Sequence, residues 1–365
     1  MKKNKIRVGI LFGGKSAEHE VSLQSAKNVV DAIDKEKYEV VLIGIDKFGK
    51  WLLPNKAQFL LNASDPKLIK LNKENVESVA LVPQSGGELT NLSSEGTVAG
   101  VDVVFPILHG PFGEDGTVQG LLKLAGVPFV GAGVLGSAVG MDKDVMKRLL
   151  RDAGLPIANF LVFKQGDNLD FEEVSIKLGL PFFVKPANLG SSVGISKVRN
   201  REDFRKAIDE AFQYDIKIVI EEFVDGRELE CAVLGNEKPM ASGVGEIIPN
   251  HEFYSYEAKY VDENGARLEV PAKIPSEINE RVHELAVKSF RVLECEGLGR
   301  VDFFLKKDGD LVVSEINTIP GFTKISMYPR LWEASGVSYT ELISSLIELA
   351  IERFQREQKL RFSNG

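Results

Sequence analysis

Apolar and polar positions alternate in blocks along the first 140 residues, and the blocks predict strands and helices in turn. Buried-type strands are expected at Arg7–Phe12 and Tyr38–Ile45, with a helix at Val21–Ile33 between them. An apolar run in "VDVVFPILHG" precedes a helix at Thr117–Ala125, and "VPFVGAG" predicts a further strand. Strands that alternate with helices indicate a parallel sheet covered on both faces, so we expect an N-terminal α/β domain over residues 1–140.

The pattern changes after residue 140. "MDKDVMKRLLRD" predicts a charged helix that opens a second unit, expected over residues 141–226, with strands in "FFVKP" and "KIVIEEFV". A third unit is expected over residues 227–365, with a long polar loop at about 247–272 and a last helix at Thr340–Gln358. Two or three packed units are what a chain of 365 residues predicts.

Composition removes several classes of function. The chain carries a net charge of −8 and has no dense Lys/Arg run, so we do not expect a nucleic-acid-binding protein. Its two cysteines, Cys231 and Cys295, indicate a reduced setting rather than a disulfide scaffold. The apolar run after the N-terminal lysines is too short for a signal peptide, and no segment approaches the roughly 20 apolar residues that span a bilayer. We expect a soluble, cytoplasmic protein with no membrane partner.

The segment "GILFGGKS" matches the phosphate-binding pattern G-x-x-x-x-G-K-[ST] at residues 9–16. That loop needs its four middle residues outside the sheet, with backbone N–H groups turned toward the phosphate. Here the middle residues continue the apolar run of the first strand. We therefore predict a strand followed by a tight Gly-Gly turn, which would bring Glu18 and His19 to the carboxyl end of the sheet, where ligands bind in open α/β folds.

Two strand-like runs flank Asp308-Gly309, which is a strong hairpin signal. If these two residues form the turn, Lys307 pairs with Asp310, and every further pair follows from that register. One face of the hairpin is then core-like, and it carries Val301, Phe303, Leu305, Val312, Ser314 and Ile316. A loop with an odd number of residues would break this register.

The opposite face of the hairpin gathers polar residues. The register places Asp302 opposite Glu315 and Arg300 opposite Asn317. Two facing carboxylates repel each other unless positive charge lies between them, and Arg300 or a divalent cation can supply it. Two carboxylates and an amide oxygen are ligands that Mg²⁺ accepts while it keeps waters and binds phosphates. The alternative is a solvent-facing strand held by salt bridges.

Cations and acids end the strands of the second unit. Lys185 closes "FFVKP" just before the loop "ANLGSSVG", where a lysine and backbone N–H groups can bind a phosphate. Lys143 in "MDKD" is a second candidate cation. The segment "IVIEEFVDGRELE" offers acids and backbone groups that can bind an adenine edge and ribose hydroxyls. For each lysine alone, simple solvation at the surface is the alternative.

Taken together, these motifs resemble the D-alanine–D-alanine ligase family of the ATP-grasp superfamily. The resemblance covers most of the chain and rests on "GGKSAEHEVSLQSA", "HGPFGEDGTVQG", "MDKDVMKRLL", "VKPANLGSSVGISKV", "EFYSYEAKY", "GRVDFFL" and "EINTIPGFTKISMYP", in that order. It implies an N-terminal α/β domain of the pre-ATP-grasp type, followed by the two α+β lobes of an ATP-grasp fold with ATP between them. The loop at about 247–272 would close over the nucleotide and exclude water.

The resemblance also implies roles for residues of the nucleotide half. Lys143 and Lys185 would contact the ATP phosphates, and Glu228 would bind the ribose. The remaining ATP contacts would come from Glu221, Phe223, Val224 and Lys259. Two Mg²⁺ or Mn²⁺ ions would be bound by Asp302, Glu315 and Asn317, with Glu315 bridging them.

For the substrates, the resemblance implies that Glu18 holds the ammonium of a first D-alanine, with Ser191 and Tyr260 linking it to the loops above. From the residues alone, the alternative for Glu18 is an acid that stabilises a helix N-terminus. Ser326 would meet the carboxylate of a second D-alanine. His109 would either contact substrate or orient its own loop.

The implied reaction is phosphorylation of one D-alanine by ATP, followed by attack of a second D-alanine's amine on the acyl phosphate, for peptidoglycan precursor synthesis. Arg300 and the backbone N–H of Gly321 would stabilise the oxyanion formed in that attack. Tyr260 favours an amine over the hydroxyl of D-lactate as the nucleophile. A D-alanine–D-lactate ligase, a P-loop NTPase and a non-catalytic nucleotide-binding protein are the rival hypotheses. The resemblance also implies a homodimer.

Overall fold

The computed structural model describes residues 5–54, 58–65, 68–74, 76–94, 96–249 and 266–361. The strands of its N-terminal part, β1 to β9, lie at Ile6–Gly13, Tyr38–Ile45, Trp51–Leu53, Leu60–Leu61, Lys70–Leu71, Glu77–Leu81, Glu88–Asn91, Thr97–Gly100 and Val103–Ile107. Seven of them form one sheet in the order β8-β7-β6-β3-β2-β1-β9, and β4 pairs with β5. Strand β1 pairs in parallel with both β2 and β9, which confirms the predicted parallel centre.

Helices cover both faces of that sheet. The helices of this part are α1 (His19–Ala32), α2 (Thr117–Ala125) and α3 (Val134–Met141). Alternate residues of β1 point to opposite faces, so Ile10 and Phe12 share a core with α1, whereas Leu11 shares a core with α2. A strand buried on both faces reads as a continuous apolar run, which is why "ILF" is not part of a loop.

Two features of the N-terminal part differ from the sequence expectation. The segment "VPFVGAG" is not a strand and makes only a single bridge, between Phe129 and Val104. Pro128 has no N–H to donate, and Gly131 turns the chain away with a φ of 98°, so pairing ends after that bridge. Residues 51–100 add four short antiparallel strands to the sheet edge, where the sequence shows no clear strand pattern.

The second part is a small antiparallel sheet with three helices, two of which pack on it. Its elements are α4 (Lys143–Asp152), β10 (Phe160–Lys164), α5 (Phe171–Leu178), β11 (Phe182–Pro186), β12 (Ser196–Val198), α6 (Arg201–Ala211) and β13 (Lys217–Glu222). The strand order is β10-β13-β11-β12, and α5 and α6 share one apolar core with it. Helix α4 instead contributes Met146 and Leu150 to the core of the following sheet. The boundaries predicted at residues 140 and 226 remain a prediction.

The third part is a five-stranded antiparallel sheet in the order β16-β15-β14-β17-β18. Its elements are β14 (Gly226–Gly235), β15 (Met240–Pro249), β16 (Ala266–Glu269), α7 (Ser276–Val292), β17 (Gly297–Lys306), β18 (Leu311–Asn317), α8 (Met327–Ala334) and α9 (Tyr339–Glu357). Helix α7 packs on one face, and α8 and α9 share the other face with the core of β1 and α1. The five-stranded sheet is thereby packed, through α8 and α9, directly on the N-terminal sheet. No helix among the described residues is both long and apolar enough to cross a membrane.

The polar loop expected at about 247–272 is shorter than predicted at both ends. Ile247 is buried in β15 and pairs with Leu268 of β16, so residues 247–249 and 266–269 are strand. Apolar side chains at these positions gain burial by extending the sheet. The middle of the segment, with Lys259 and Tyr260, lies outside the described residues.

The hairpin of β17 and β18 reaches the predicted register by an unpredicted route. Lys306 N donates to Asp310 O at 2.8 Å, so the loop has three residues and the predicted pair of Lys307 with Asp310 is wrong. A bulge in β18 then inserts one residue, after which Asp302 lies opposite Glu315 as predicted. Below the bulge the apolar face changes, and the residues of the two strands that join the core shared with α7 are Val301, Phe303, Leu305, Leu311, Val313 and Ile316.

Candidate active site

A tight turn at the end of β1 places an acid in the cleft. Gly13 and Gly14 have φ values of 94° and 96°, which favour glycine, and the chain then enters α1 at Glu18. The Glu18 carboxylate makes no cap hydrogen bond to its own helix, and it is 7% exposed. Instead it accepts a hydrogen bond from the Ser191 hydroxyl, 173 residues away. Glu18 thus lies at the N-terminus of α1, as the helix-stabilising alternative also requires, and is bound in addition by a hydroxyl of a distant loop.

The same turn excludes a P-loop. The middle of "GILFGGKS" is fully buried within β1, so its backbone is committed to the sheet. Lys15 lies with its ammonium 5.1 Å from the ring centroid of Phe112, and the Ser16 hydroxyl donates to His109 O at 2.6 Å. Neither side chain forms part of a phosphate-binding loop. This agrees with the prediction of a strand followed by a tight turn.

Ser191 lies in the loop between β11 and β12, where the backbone is bent sharply. Both Ser191 and Ser192 have left-handed φ values, 54° and 59°. Such values are uncommon for residues with a β-carbon and concentrate at functional sites. The loop also accepts a bond from α4, since Lys143 Nζ donates to Leu189 O at 2.6 Å.

One buried acid organises the charged residues of the second part. Both Lys147 and Lys185 donate to the carboxylate of Glu221, one to each oxygen. Burial alone would raise the pKa of Glu221, but the two lysines lower it to about 2. Burial alone would lower the pKa of Lys185, and Glu221 reverses this, so the pKa of Lys185 is raised. Lysine charge at the end of β11 is thereby secured.

The residues expected around a base and ribose follow Glu221 at the end of β13. The Phe223 side chain is 40% exposed, and Lys197 Nζ lies 4.5 Å from the centroid of its ring. Val224 is partly buried, and Glu228 lies in β14 near enough to raise the pKa of Lys185 further. An exposed ring and a cation thus lie in contact after β13, with an acid near Lys185.

The polar face of the β17–β18 hairpin is built around Arg300. Its guanidinium binds Asp302 with two bonds of 2.7 Å and also lies 2.9 Å from Glu230 on the neighbouring strand. Burial opposes its charge, but the carboxylates of Asp302 and Glu230 raise the pKa of Arg300 well above its ordinary value. Asn317 Nδ2 donates to Asp302 Oδ2 at 3.0 Å.

This face carries the kinds of oxygen donor that a hard cation accepts. Two carboxylates, Asp302 and Glu315, lie opposite each other with the Asn317 amide beside them. No group of three or more His, Cys, Asp and Glu side chains with a metal-binding arrangement occurs in the described part of the chain. The donor set therefore suits Mg²⁺, which one or two carboxylates and substrate phosphates can bind, rather than Zn²⁺. Lys143 Nζ lies 4.0 Å from Glu315 Oε2 and connects this face to the nucleotide half.

The loop after β18 holds the residues expected near the second substrate. Ser326 accepts a bond from Thr323 N at 3.0 Å and lies 2.7 Å from the Thr323 hydroxyl. A β-carbon at Gly321 would come within 2.9 Å of Ser326 Oγ, so a larger residue would displace that hydroxyl. His109 lies under this loop, 4% exposed, with Nδ1 3.0 Å from Ile319 O.

Two family models cover this chain. One, described as D-ala D-ala ligase N-terminus, matches residues 7–132, and the other, D-ala D-ala ligase C-terminus, matches residues 149–348. The chain belongs to the D-alanine–D-alanine ligase family. A D-alanine--D-alanine ligase from Shouchella clausii is 56% identical over 98% of both chains, and one from Oceanobacillus iheyensis is 57% identical over 99% of both.

Solved structures of the same kind share the fold. The D-alanine-D-alanine ligase from Coxiella burnetii matches with a TM-score of 0.86 and 37% identity, over 98% of this chain and 97% of that one. VanG D-Ala:D-Ser ligase from Enterococcus faecalis matches with a TM-score of 0.84 and 36% identity, over 95% of this chain and 100% of that one. The predicted ATP-grasp fold and family are confirmed, and the family implies ATP use.

Three residues of this D-alanine–D-alanine ligase family member contribute to the site without having been singled out from sequence. Lys147 and Glu230 hold Glu221 and Arg300, as described above. Glu114 accepts bonds from Gly110 N at 2.7 Å and Ile319 N at 3.2 Å. Burial, and then the charge of nearby Glu18, raise the pKa of Glu114. Alternation along β14 signals Glu230, whereas Lys147 and Glu114 become significant only when distant segments meet.

Proposed function

We propose that this protein joins two D-alanine molecules to D-alanyl-D-alanine with ATP, for bacterial peptidoglycan precursor synthesis. The observation that carries the proposal is the 4.0 Å approach of Lys143 Nζ to Glu315 Oε2, which brings a candidate phosphate-binding lysine next to a candidate metal-binding carboxylate. Membership of the D-alanine–D-alanine ligase family supports ATP and D-alanine as the substrates.

In the first step, a carboxylate oxygen of one D-alanine attacks the γ-phosphorus of ATP, and the bond to ADP breaks. Both reactants are anions, so Lys143 and Lys185 reduce their repulsion. The adenosine is held at the exposed edge formed by Phe223, Val224 and Glu228. Lys259, outside the described residues, is proposed as a further ATP contact.

We propose that Asp302, Glu315 and Asn317 hold two Mg²⁺ or Mn²⁺ ions, which would neutralise charge on the transferring phosphate. The residues present suit this role because Arg300, which binds Asp302, is also bound by Glu230 and so does not depend on Asp302 alone. Glu230 would thus keep the guanidinium in place when Asp302 binds a metal ion. The guanidinium remains available to the second step.

In the second step, the amine of the other D-alanine attacks the carbonyl carbon of the acyl phosphate. Inorganic phosphate leaves with the former carboxylate oxygen, and the amine loses its proton. Arg300 and the N–H of Gly321 stabilise the oxyanion, a contribution for which one donor is typically worth about 10²–10³ in rate. Ser326 binds the carboxylate of the attacking D-alanine.

Glu18 is proposed to bind the ammonium of the first D-alanine. The Ser191 hydroxyl would hold the Glu18 carboxylate in place through its hydrogen bond. Tyr260, outside the described residues, is proposed as the third member of this link. His109 is proposed to orient the loop after β18 rather than to contact substrate, because its Nδ1 already binds Ile319 O. We further propose that the enzyme is a cytoplasmic homodimer that uses neither nucleic acid nor membrane as a partner.

The test is phosphate release from Mg-ATP with product identification. D-alanine alone should give ADP, phosphate and D-alanyl-D-alanine, and L-alanine should give none. Arms with added D-serine and D-lactate decide the second substrate, since a relative of similar fold is a D-Ala:D-Ser ligase. No phosphate release with D-alanine, or equal release without any amino acid, would refute the ligase function. A dominant mixed product would reassign the second substrate.

A further inference from the structure

The loop that carries Gly321 is tied at both ends by side chains from other parts of the fold. Before Pro320, Ile319 N donates to Glu114 at 3.2 Å, and His109 Nδ1 lies 3.0 Å from Ile319 O. After Gly321, Phe322 N donates to the Ser25 hydroxyl at 3.3 Å, across 297 residues of sequence. On the far side, the Tyr339 hydroxyl donates to Phe322 O at 2.5 Å.

Ser25 and His109 close these bonds into one circuit. Ile319 O can only accept, so His109 Nδ1 carries the proton and donates to it. The other ring nitrogen, Nε2, then accepts from the Ser25 hydroxyl, which lies 3.4 Å away. The same Ser25 oxygen accepts from Phe322 N. Each group therefore uses a different hydrogen-bonding capacity, and the circuit is consistent throughout.

The circuit requires a neutral imidazole, and its surroundings provide one. His109 and Ser25 are both buried, and burial lowers the pKa of His109, with the charge of Glu18 opposing that change in part. A neutral ring with one donor and one acceptor matches the two groups on either side. The rings of Phe105 and Tyr328 pack against Phe322 and exclude water from the circuit.

We propose that Ser25, acting with His109, is a positioning residue that holds the Pro320-Gly321 backbone in place for the amide-forming step. This inference rests on the proposed function, in which the Gly321 N–H stabilises the oxyanion. Ser25 lies in α1, the helix that also begins with the proposed ammonium-binding acid, Glu18. One helix thereby sets the distance between the binding point of the first substrate and the oxyanion donor.

The decisive variant is Ser25→Ala, compared with Ser22→Ala. Both serines are completely buried in α1, and Ser22 also makes two hydrogen bonds, to Gly13 N and Ile107 O, neither of them in the loop 319–322. Ser25→Ala should lower kcat about 10- to 100-fold, the range that follows from small misplacement of a catalytic group, and leave KM for ATP within about twofold. Ser22→Ala should lower stability similarly and leave kcat close to the original.

Amide hydrogen exchange of residues 319–323 supplies a measurement that does not depend on turnover. Exchange in this segment should accelerate in Ser25→Ala and stay unchanged in Ser22→Ala. Tyr339→Phe, which keeps the ring and removes one bond to Phe322, should accelerate it to a smaller extent and serves if Ser25→Ala does not fold. Equal kcat and equal exchange in the two serine variants would overturn the inference. Absence of dipeptide synthesis by the unaltered protein would instead refute the proposed function, and the exchange comparison would still decide whether Ser25 holds the loop.

Discussion

Lys147 and Lys185 bind opposite oxygens of one buried carboxylate, that of Glu221. Lys147 comes from α4, where its side chain is 2% exposed, and Lys185 ends β11 in the nucleotide half. Two cations on one acid leave a net positive charge, which suits a neighbouring triphosphate. The group is therefore a buried structural ion pair that carries net positive charge.

Replacing Lys147 by methionine should show how much this ion-pair group contributes to the free energy of unfolding. Lys147→Met keeps the length of the side chain but leaves the buried Glu221 carboxylate with one partner instead of two. Breaking a buried pair costs about 3 kcal/mol or more in unfolding free energy, because the remaining charge is poorly solvated. Urea unfolding of the two proteins at neutral pH measures the difference.

The matched control is Lys177→Met, which breaks a hydrogen-bonded pair of the same two residue types at the surface. Lys177 binds Glu173 at 2.7 Å, but the two side chains are 53% and 66% exposed. Exposed pairs contribute under about 1 kcal/mol, so the control should change stability little. Equal losses in the two variants would mean that burial of the Glu221 group does not matter.

The same group predicts a pH dependence of stability. The folded pKa of Glu221 is about 2, below its ordinary value of 4.5. The ion pairs therefore stabilise the fold fully above about pH 4.5, and this stabilisation is lost as pH falls toward 2, an effect of about 3 kcal/mol. The stability difference between the original protein and Glu221→Gln should shrink from pH 5 to pH 2.5 in urea unfolding. A constant difference for Glu221→Gln across this pH range would contradict the prediction.

The polar face of the β17–β18 hairpin, here called the acid face, shows how much of the site can be predicted from sequence. The pairing of Asp302 with Glu315 was predicted correctly, although the assumed two-residue turn at Asp308-Gly309 was wrong. A three-residue loop shifts the register by one, and a bulge near Ser314 shifts it back. The polar pattern of the strand end indicates the final register, because apolar and charged residues must face opposite sides. Neither the loop length nor the bulge leaves a separate signal.

The parts of the site that escaped prediction depend on long-range contacts. Lys147 and Glu221 are 74 residues apart, and Glu114 meets Ile319 across 205 residues. In sequence, a lysine in a charged helix and an acid in a Gly-rich loop cannot be distinguished from solvated surface residues. Only tertiary packing shows that one is buried and the other is bound to backbone amides. The family resemblance supplies roles for matching motif residues, but not for these supporting ones.

Nucleotide binding should depend on Lys185 and not on Lys15. Lys15 lies beside Phe112 after the turn of β1, whereas Lys185 is held by Glu221 at the end of β11. Lys15→Ala should leave the Kd for ATP within about twofold in calorimetry. Lys185→Ala removes a charge-assisted phosphate contact worth about 1.5–3 kcal/mol and should weaken binding at least about tenfold. The opposite ranking would restore the P-loop hypothesis for "GILFGGKS".

Metal binding should depend on the acid face of the β17–β18 hairpin. Asp302→Asn and Glu315→Gln each remove one of two facing carboxylates, so Mn²⁺ binding in the presence of ADP should weaken at least about tenfold, by loss of a charged ligand. Mg²⁺-dependent turnover should be abolished, while circular dichroism shows an unchanged fold. Electron paramagnetic resonance of Mn²⁺ measures the binding without requiring turnover.

Asp308→Asn is the matched control for these two variants. Asp308 lies in the same hairpin, but its side chain is 62% exposed in the loop, where it lies 3.7 Å from Lys306. Removing its charge should leave Mn²⁺ binding unchanged, because Asp308 lies at the opposite end of the hairpin from Asp302 and Glu315 and salt screens exposed charges. If Mn²⁺ binds Asp302→Asn and Glu315→Gln as tightly as the original protein, the ions lie elsewhere. Arg300 would then remain the counter-charge of Asp302 during turnover, and its guanidinium would be unable to serve the oxyanion as proposed.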